Sequence, residues 1–350
     1  MKLSTINSQF SILNSQLFRI LLAAFTLLLM PIFTSCEVEF SPNAEWKEVP
    51  AVYCILDQDT SITYVRVQRC FLSEDDFHQY TTVMDSVNYP LGSVDVHINV
   101  WQDYATMERG GTPVTVMHFE DTLMEKADGE FASEDGQHVF KHDTRSGDFN
   151  TNYFYELVVT KVATGEQMAR AVTQLVGNSV SNWLENPNPY TVGKGFSFSH
   201  NRRCVITWKP FERGRLYQPI VTFFYRHRFG DQAVLYPVDI RCQQTRNLTV
   251  DLQQGTFLNA VKDALVNDTC KKNFYDTVRV ALNMCNEDLY AYMASTTSIS
   301  TTQQIYSNIE GGVGVFGARR TRVCMWVPAD KSDVGPSGMH YILRELNVGF

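Results

Sequence analysis

The segment Val94–Trp101 places the tightest constraint on the fold. Its sequence, VDVHINVW, alternates apolar and polar residues with a period of two. Successive side chains of a β-strand point to opposite faces, so this pattern buries one face and leaves the other in water. An α-helix, with a period of about 3.6 residues, would scatter the same residues over all of its faces. The segment is therefore predicted to be a strand of a sheet with one wet face.

Similar strand signals recur along the first half of the chain. They are rich in β-branched and aromatic residues, which favour strands, and they fall at residues 51–56, 63–72, 114–119, 153–160 and 167–176. Short groups of turn-forming residues separate them, at 57–59, 110–113, 135–136 and 164–165. Many short strands with such turns predict a sandwich of antiparallel sheets.

The second half resumes the strand pattern at residues 203–210, 217–228 and 233–242. Trp208 ends one predicted strand and Tyr217 opens the next, as in fibronectin-type sandwiches, where both rings lie in the core. Two short helices interrupt the strands, the first capped by Thr256 and the second by Asn286. Each helix carries one apolar stripe, which predicts a core-facing side. The stripes are Leu258, Val261 and Leu265 in the first helix, and Leu289, Tyr292 and Met293 in the second.

These patterns predict a mainly β protein made of two antiparallel β-sandwich domains, immunoglobulin- or fibronectin-like, the second with one or two short helices. The segment 178–195 contains the sequence NPNP and is the predicted linker. The predicted organisation is a signal peptide at 1–35, a lipidated tether at 36–50, an N-terminal β-sandwich domain at 51–177, the linker at 178–195, and a C-terminal fibronectin-like β domain with helical insertions at 196–350.

The amino-terminal segment carries an export signal. The apolar run from Ile20 to Met30 is too short for a membrane span, which takes about 20 residues, and it matches the core of a signal peptide. Small residues precede Cys36, as in a lipobox, which predicts cleavage before Cys36 and anchoring through palmitate-type acyl chains there. The alternative is a buried cysteine after an ordinary signal peptide. Glu37 and Glu39, just after Cys36, resemble a surface-export signal of Bacteroidetes lipoproteins, which implies the outer-membrane surface, with the periplasmic face as the alternative.

The chain has eight cysteines, and lipidation of Cys36 leaves seven. Because seven is odd, at least one thiol is unpaired. Cys270 and Cys285 flank a short predicted strand and are the pair that we expect. Cys54 is not expected to pair with Cys70, because a turn at 57–61 would place Cys54 opposite Tyr64 instead. Pairing is left open for Cys204, Cys242 and Cys324.

A run of glycines forms the most distinctive motif. Gly312, Gly314 and Gly317 make a literal G-x-G-x-x-G. Dinucleotide binding requires that motif between a strand and a helix, so that helix amides face the pyrophosphate. The residues that follow, 319–327, have a strand pattern instead. We therefore expect the glycines to permit positive φ or close backbone approach at a bulge joining two strands.

The same stretch carries a family resemblance. Residues 306–317, YSNIEGGVGVFG, closely resemble the near-terminal motif of a Bacteroidetes lipoprotein family known as domain of unknown function 4249. AVYCIL at 51–56, YELVV at 155–159 and ITW at 206–208 agree with that family in order, so the resemblance covers nearly all of the mature chain. Departures are the seven further cysteines and residues 241–285, which match no part of the family pattern. The resemblance implies an outer-membrane lipoprotein that works beside a TonB-dependent receptor.

Titratable residues offer few constellations. His138 and His142 are four apart, a metal spacing only on a helix, and the turn-formers around them predict solvated loop histidines. His97 falls on the wet face of its strand. Asp57 with Asp59 could hold calcium in a loop, but a solvated turn is the interpretation that we prefer.

Composition and motifs exclude several function classes. The formal net charge of −8 argues against a nucleic-acid surface. The sequence contains no H-E-x-x-H, G-x-S-x-G, P-loop or C-x-x-C. No catalytic, cofactor-binding or metal-binding residue is predicted, and the predicted site is the lipidation site Cys36.

Three hypotheses of function remain. The first is a binding or accessory lipoprotein of the outer membrane, not an enzyme, with a TonB-dependent transporter as its partner. The second is a fimbrillin-like structural subunit or adhesin. The third is an extracytoplasmic hydrolase whose catalytic residues the sequence does not identify.

Overall fold

The computed structural model describes residues 48–70, 87–125, 137–145, 148–188, 195–198, 201–229, 232–265, 272–297, 305–328, 344 and 348–349. The predicted signal peptide, Cys36, the acidic pair Glu37 and Glu39, and Cys270 lie outside these residues. No helix within the described ranges is long and apolar enough to cross a membrane.

The protein is mainly β. The described strands are β1 (Pro50–Asp57), β2 (Ile62–Arg69), β3 (Val94–Trp101), β4 (Thr115–His118), β5 (Glu120–Met124), β6 (Gln137–Asp143), β7 (Phe154–Lys161), β8 (Glu166–Gln174), β9 (Leu184–Asn186), β10 (Arg203–Trp208), β11 (Leu216–Phe229), β12 (Gln232–Arg241), β13 (Thr249–Gln253), β14 (Lys272–Cys285), β15 (Val313–Pro328) and β16 (Val348–Gly349). The described helices are α1 (Tyr104–Glu108), α2 (Gln254–Leu265) and α3 (Glu287–Thr297).

The strands form three sheets. The largest has the order β12-β11-β14-β15-β1-β2-β6-β5, with β16 beside β14; the others are β4-β3-β7-β8 and β13-β10-β9. The long strand β15 lies in the middle of the largest sheet and joins its two halves. Its first part pairs in parallel with β1, and its last part pairs antiparallel with β14.

Two hydrophobic cores lie on this framework. The first buries Val52, Ile98 and Tyr155 from the first half of the chain. The second is built around Trp208 and Phe257. Trp208 and Tyr217 both lie in this core, as the sequence predicts, and their ring centroids are 5.6 Å apart. The strand β15 contributes to both, with Phe316 in the first core and Val327 in the second.

Several strands cross or occupy the predicted domain boundary. Because β15 pairs with β1, the largest sheet contains strands from both predicted domains. Within the predicted linker, β9 pairs with β10, and the Asn186-Pro187 bond is cis. The division into separate domains at 178–195 stays a prediction.

Of the two helix caps predicted from the sequence, one is confirmed and the other is wrong. Asn286 caps α3 as predicted, since its Oδ1 accepts a hydrogen bond from the Leu289 amide at 3.2 Å. The first predicted helix begins at Gln254, so Thr256 lies inside α2 and is not its cap. The apolar stripe of α2 is buried at Val261 and Leu265.

The glycine motif lies in a strand. Gly314 and Gly317 are inside β15, whose residues Val313–Arg319 pair one to one with Ala51–Asp57 of β1, so the predicted bulge joining two strands is wrong. The predicted positive φ is present at Gly314, at 122°, and at Gly311, at 77°. A Cβ on Gly312 would lie 2.5 Å from the Pro50 carbonyl oxygen. The glycines therefore let β15 lie against β1.

Two asparagine side chains bind the backbone groups of the first part of β15 that do not pair with β1. The Asn308 side chain accepts from the Phe316 amide at 2.9 Å and donates to the Phe316 carbonyl at 2.8 Å. The Asn286 Oδ1 accepts from the Ala318 amide at 3.0 Å. These amides replace a neighbouring strand, so the buried backbone groups keep their hydrogen bonds.

The predicted Cys270–Cys285 disulfide is wrong, because Cys285 is a free, buried thiol. Strand β14 starts at Lys272 and ends at Cys285. At roughly 3.3 Å per residue, the two ends of that strand lie about 43 Å apart. Cys54 is also free, and it lies opposite Val65, one position from the expected Tyr64.

Candidate functional site

A groove on the outer face of β1 and β2 is the best candidate for a binding site. We call it the tyrosine–arginine groove, and its volume is about 530 Å³. It is lined by Tyr53, Ile55, Asp57, Thr60, Ser61, Ile62, Tyr64, Arg66 and Arg319.

The period of two in β1 and β2 creates this surface. Val52, Cys54 and Leu56 point inward and are at most 1% exposed. Their neighbours Tyr53 and Ile55 consequently point outward, and Tyr53 lies directly opposite Arg66 in the register. Ile55 and Tyr64 are 37% and 39% exposed, so the groove presents apolar surface to solvent.

Helix α3 lies beside the groove because Gly317 has no side chain. A Cβ at Gly317 would be 2.8 Å from the Leu289 Cβ. This close approach brings Tyr292 to Tyr53, and the two rings meet edge to face with centroids 6.1 Å apart. Burial raises the pKa of Tyr53, and Tyr292 raises it further. The Tyr53 hydroxyl already shares a hydrogen bond with the Tyr292 side chain, which contributes to this shift.

The two arginines of the groove differ in their partners. Arg319 Nε donates to Asp57 Oδ2 at 2.6 Å. The Nε of Arg66 is buried and has no acceptor among the described residues. One guanidinium is thus compensated by a carboxylate, while the other has an unused donor.

A second cleft of about 370 Å³ lies between β8, α1 and the start of α3. Its polar side chains pair with one another. Arg215 Nε donates to Glu287 at 2.6 Å, and Asn286 Nδ2 donates to Thr173 at 2.8 Å. The Thr173 hydroxyl in turn donates to Asp288 at 2.7 Å. The contacts of Thr173 join β8 to the start of α3, and the contact of Arg215 joins the residue before β11 to α3. This pairing indicates a structural role for the cleft.

The histidines of β6 differ from expectation. His138 and His142 lie in a strand, so the predicted loop is wrong, and their side chains are only 12% and 14% exposed. His138 faces Asp121 at 3.5 Å, and His142 faces Asp148 at 3.2 Å. Four strand residues span roughly 13 Å, which is too far for both rings to bind one metal ion.

The remaining titratable predictions fall near the surface. His97 pairs with Asp95 at 2.9 Å on the polar face of β3. Asp57 accepts hydrogen bonds from Arg319 and from the Asp59 amide, and Asp59 accepts from the Thr321 amide. These carboxylates fasten the β1–β2 turn to β15. In the part of the chain that the structure describes, no group of three or more His, Cys, Asp or Glu residues could hold a metal.

A buried carboxylate that the sequence reasoning missed lies in the sheet of β3, β7 and β8. Glu156 is 8% exposed and accepts from Trp101 Nε1 at 2.8 Å, Asn99 Nδ2 at 3.1 Å and Arg170 Nε at 2.6 Å. Burial alone would raise the pKa of Glu156, but these hydrogen bonds, led by that from Arg170, hold it below its usual value. Arg170 also contacts Glu310, 3.3 Å away. The network links this sheet to the glycine segment.

The groove itself was also missed from the sequence. Its signal was available, because Tyr53 and Tyr64 place large rings on the face of their strands that points away from the core. Isolated exposed apolar residues are common, so that signal is weak without the structure.

Comparisons with known proteins add little. No family model matches the chain, and no curated protein matches it. A solved structure described as "Cytokine receptor complex - Crystal form 1A" matches over 80% of this chain and 99% of that chain, with 7% identity and a TM-score of 0.22. At that TM-score the similarity carries no argument about function.

Proposed function

We propose that the protein is an extracytoplasmic lipoprotein, anchored through Cys36, that binds or assembles and does not catalyse. The observation that carries the binding role is the tyrosine–arginine groove. Aromatic side chains beside an arginine with a free donor are typical of surfaces that recognise a ligand or partner. The signal core and the small residues before Cys36 support the anchor.

The proposed architecture is two β-sandwiches, the second fibronectin-like. It is supported by the core between β13-β10-β9 and the strands β12, β11 and β14, and by the contact of Trp208 with Tyr217. Membership of the family known as domain of unknown function 4249 is likewise a proposal. Its support is the glycine motif at 306–317.

The proposed location is the outer membrane, facing the cell surface, with a TonB-dependent receptor as partner. The acidic residues Glu37 and Glu39 after the lipidated cysteine support the surface, and the family resemblance supports the partner. A groove that faces away from the core would be open to such a partner or to its ligand.

Labelling with an acyl analogue tests the anchor. Wild-type protein should incorporate the label and fractionate with membranes, whereas Cys36→Ala should do neither. Cys70→Ala is the matched control, since it removes a cysteine from the mature part and should label normally. Incorporation into Cys36→Ala at the wild-type level would refute the anchor.

Two further measurements separate the alternatives. Protease shaving of intact cells should show reduced exposure when Glu37 and Glu39 are both changed to Gln, with membrane-bound protein unchanged. Intact mass should show a mature chain that begins at the acylated Cys36. A mature chain beginning well past Cys36 would favour the fimbrillin-like subunit instead.

A further inference from the structure

We propose that the tyrosine–arginine groove binds a carboxylate carried on a ring-sized apolar body, with Arg66 as the residue that holds the carboxylate. This inference rests on the proposed binding role and names the chemical class of its ligand.

The first step is the state of Arg66. A buried donor without an acceptor is unfavourable by roughly 1–3 kcal/mol, and more when the group is charged. The Nε of Arg66 is such a donor among the described residues. The guanidinium is planar and matches a carboxylate with two parallel hydrogen bonds. The Nε itself is covered by the protein, but Arg66 lines the groove and pairs with no carboxylate of the described residues. A ligand carboxylate would therefore supply the guanidinium with the counter-charge that it lacks.

The second step is the charge of the groove as a whole. Asp57 is held by Arg319 at 2.6 Å. On the neighbouring strand β6, Lys141 is held by Asp143 at 3.0 Å. Within each pair the two charges cancel. Arg66 is therefore the one charge of the described groove without an ion-pair partner. The groove consequently favours a single negative charge.

The third step is the shape and polarity of the walls. Tyr53, Tyr64, Ile55 and Ile62 line the groove and present rings and aliphatic carbons. A bare inorganic anion would leave these surfaces in water, whereas a ring can pack against tyrosine faces. The volume of about 530 Å³ is within the range of small-molecule sites, roughly 300–1,000 Å³. The ligand should thus carry a ring next to its carboxylate.

Two sources share this chemistry, an alicyclic acid and an aromatic acid. The test therefore uses cyclohexanecarboxylate and 3-phenylpropionate as probes, each with its neutral amide. Binding is measured by calorimetry on the full-length protein in detergent. We expect at least one acid to bind, and its amide to bind at least roughly tenfold more weakly, because the amide lacks the charge.

Variants assign the effect to the residue. Arg66→Gln should weaken binding of the acid by roughly tenfold or more and leave the amide unchanged. Arg66→Lys keeps the charge but loses the planar fork, so it should recover part of the affinity. Arg319→Gln combined with Asp57→Asn removes the neutral pair from the same groove and should change affinity less than threefold, since the net charge of the groove is unchanged. Thermal melting checks that each variant is folded.

Several outcomes would overturn the inference. It is wrong if neither acid binds, if the amide binds as tightly as its acid, or if the Arg319→Gln, Asp57→Asn double variant matches the loss seen in Arg66→Gln. None of these outcomes would change the result of acyl labelling at Cys36 or of membrane fractionation. Failure of the ligand class is thereby distinguishable from failure of the proposed function.

Discussion

Replacing Gly314 with alanine should strongly destabilise the fold. Gly314 has φ of 122°, a conformation that L-residues rarely adopt. An added Cβ would overlap the Val52 carbonyl oxygen and lie 2.8 Å from its carbonyl carbon. Both atoms belong to the backbone of β1, so no side chain can move aside. The strands β1 and β15 must separate or the local backbone must change.

The expected magnitude follows from two contributions. Backbone strain at such a φ is about 1–3 kcal/mol. Separation of β1 from β15 would also break parallel ladder hydrogen bonds around Val52, at about 1 kcal/mol for each bond lost. The total is roughly 3–5 kcal/mol, a large share of a typical stability of about 5–15 kcal/mol. For a domain of this size it lowers Tm by about 10 °C.

Thermal unfolding followed by circular dichroism measures this loss. Gly165→Ala is the matched control, because Gly165 has φ of 70° but nothing within 4 Å of an added Cβ. It should show the strain of the left-handed conformation alone, about 1–2 kcal/mol. Equal melting temperatures for the two variants would refute the steric part of the reasoning. A Gly314→Ala protein that melts like wild type but loses ligand binding would make this glycine part of a binding site.

Three further predictions concern buried polar groups and thiols. Asn286→Ala removes the cap of α3 and leaves the Ala318 amide without its acceptor, so we expect a loss of about 2–4 kcal/mol in chemical denaturation; a loss below 1 kcal/mol would contradict it. The pKa of Glu156 is lowered in the fold, so its stabilisation is present above its ordinary pKa of 4.5 and is lost as the pH falls through the lower folded pKa. Glu156→Gln should accordingly melt lower than wild type at pH 7, with a smaller difference at pH 3.5; an equal difference at both would count against the network. Burial raises the pKa of Cys204 and Cys242 to about 12, so a thiol reagent should modify Cys70, which is half-buried, well before them in native protein. Mass spectrometry of the modified peptides reads out the order, and uniform labelling would argue against this packing.

Local patterns predicted the parts of the fold that depend on neighbouring residues. Strand β3 has the predicted bounds because strict alternation leaves one arrangement with a buried face. Asn286 was recognised as a cap because capping is decided within one turn. The core positions of Trp208 and Tyr217 were predicted because a Trp that ends one strand and a Tyr that opens the next resemble a fibronectin-type sandwich.

Contacts between distant residues were harder to predict. The parallel pairing of β1 with β15 joins Ala51 to Val313, and no local pattern in either segment encodes that choice. The interpretation of the glycines as a bulge failed for this reason. The histidines of β6 were assigned to a loop because nearby glycines and aspartates outweighed a short, mixed strand signal.

The candidate groove depends on the same long-range pairing. Arg66 and Tyr53 become neighbours through the β1–β2 register, which the sequence suggested to within one position. The position of α3 beside them requires Gly317 in β15 to lie under Leu289. Sequence reasoning gave each strand a wet face, and it did not separate a plain solvated face from a groove with an unused guanidinium donor.

Site-specific photo-crosslinking on intact cells tests the central claim, that a lipid-anchored protein binds through this groove. A photoreactive phenylalanine analogue is placed at Tyr64, inside the groove, or at Leu91, which is 59% exposed outside it. We predict a discrete adduct from position 64 that Arg66→Gln weakens and that Cys36→Ala removes from the membrane fraction. An adduct specific to position 64 but indifferent to Arg66 would contradict only the assignment of Arg66, whereas equal adducts from positions 64 and 91 would contradict the binding role.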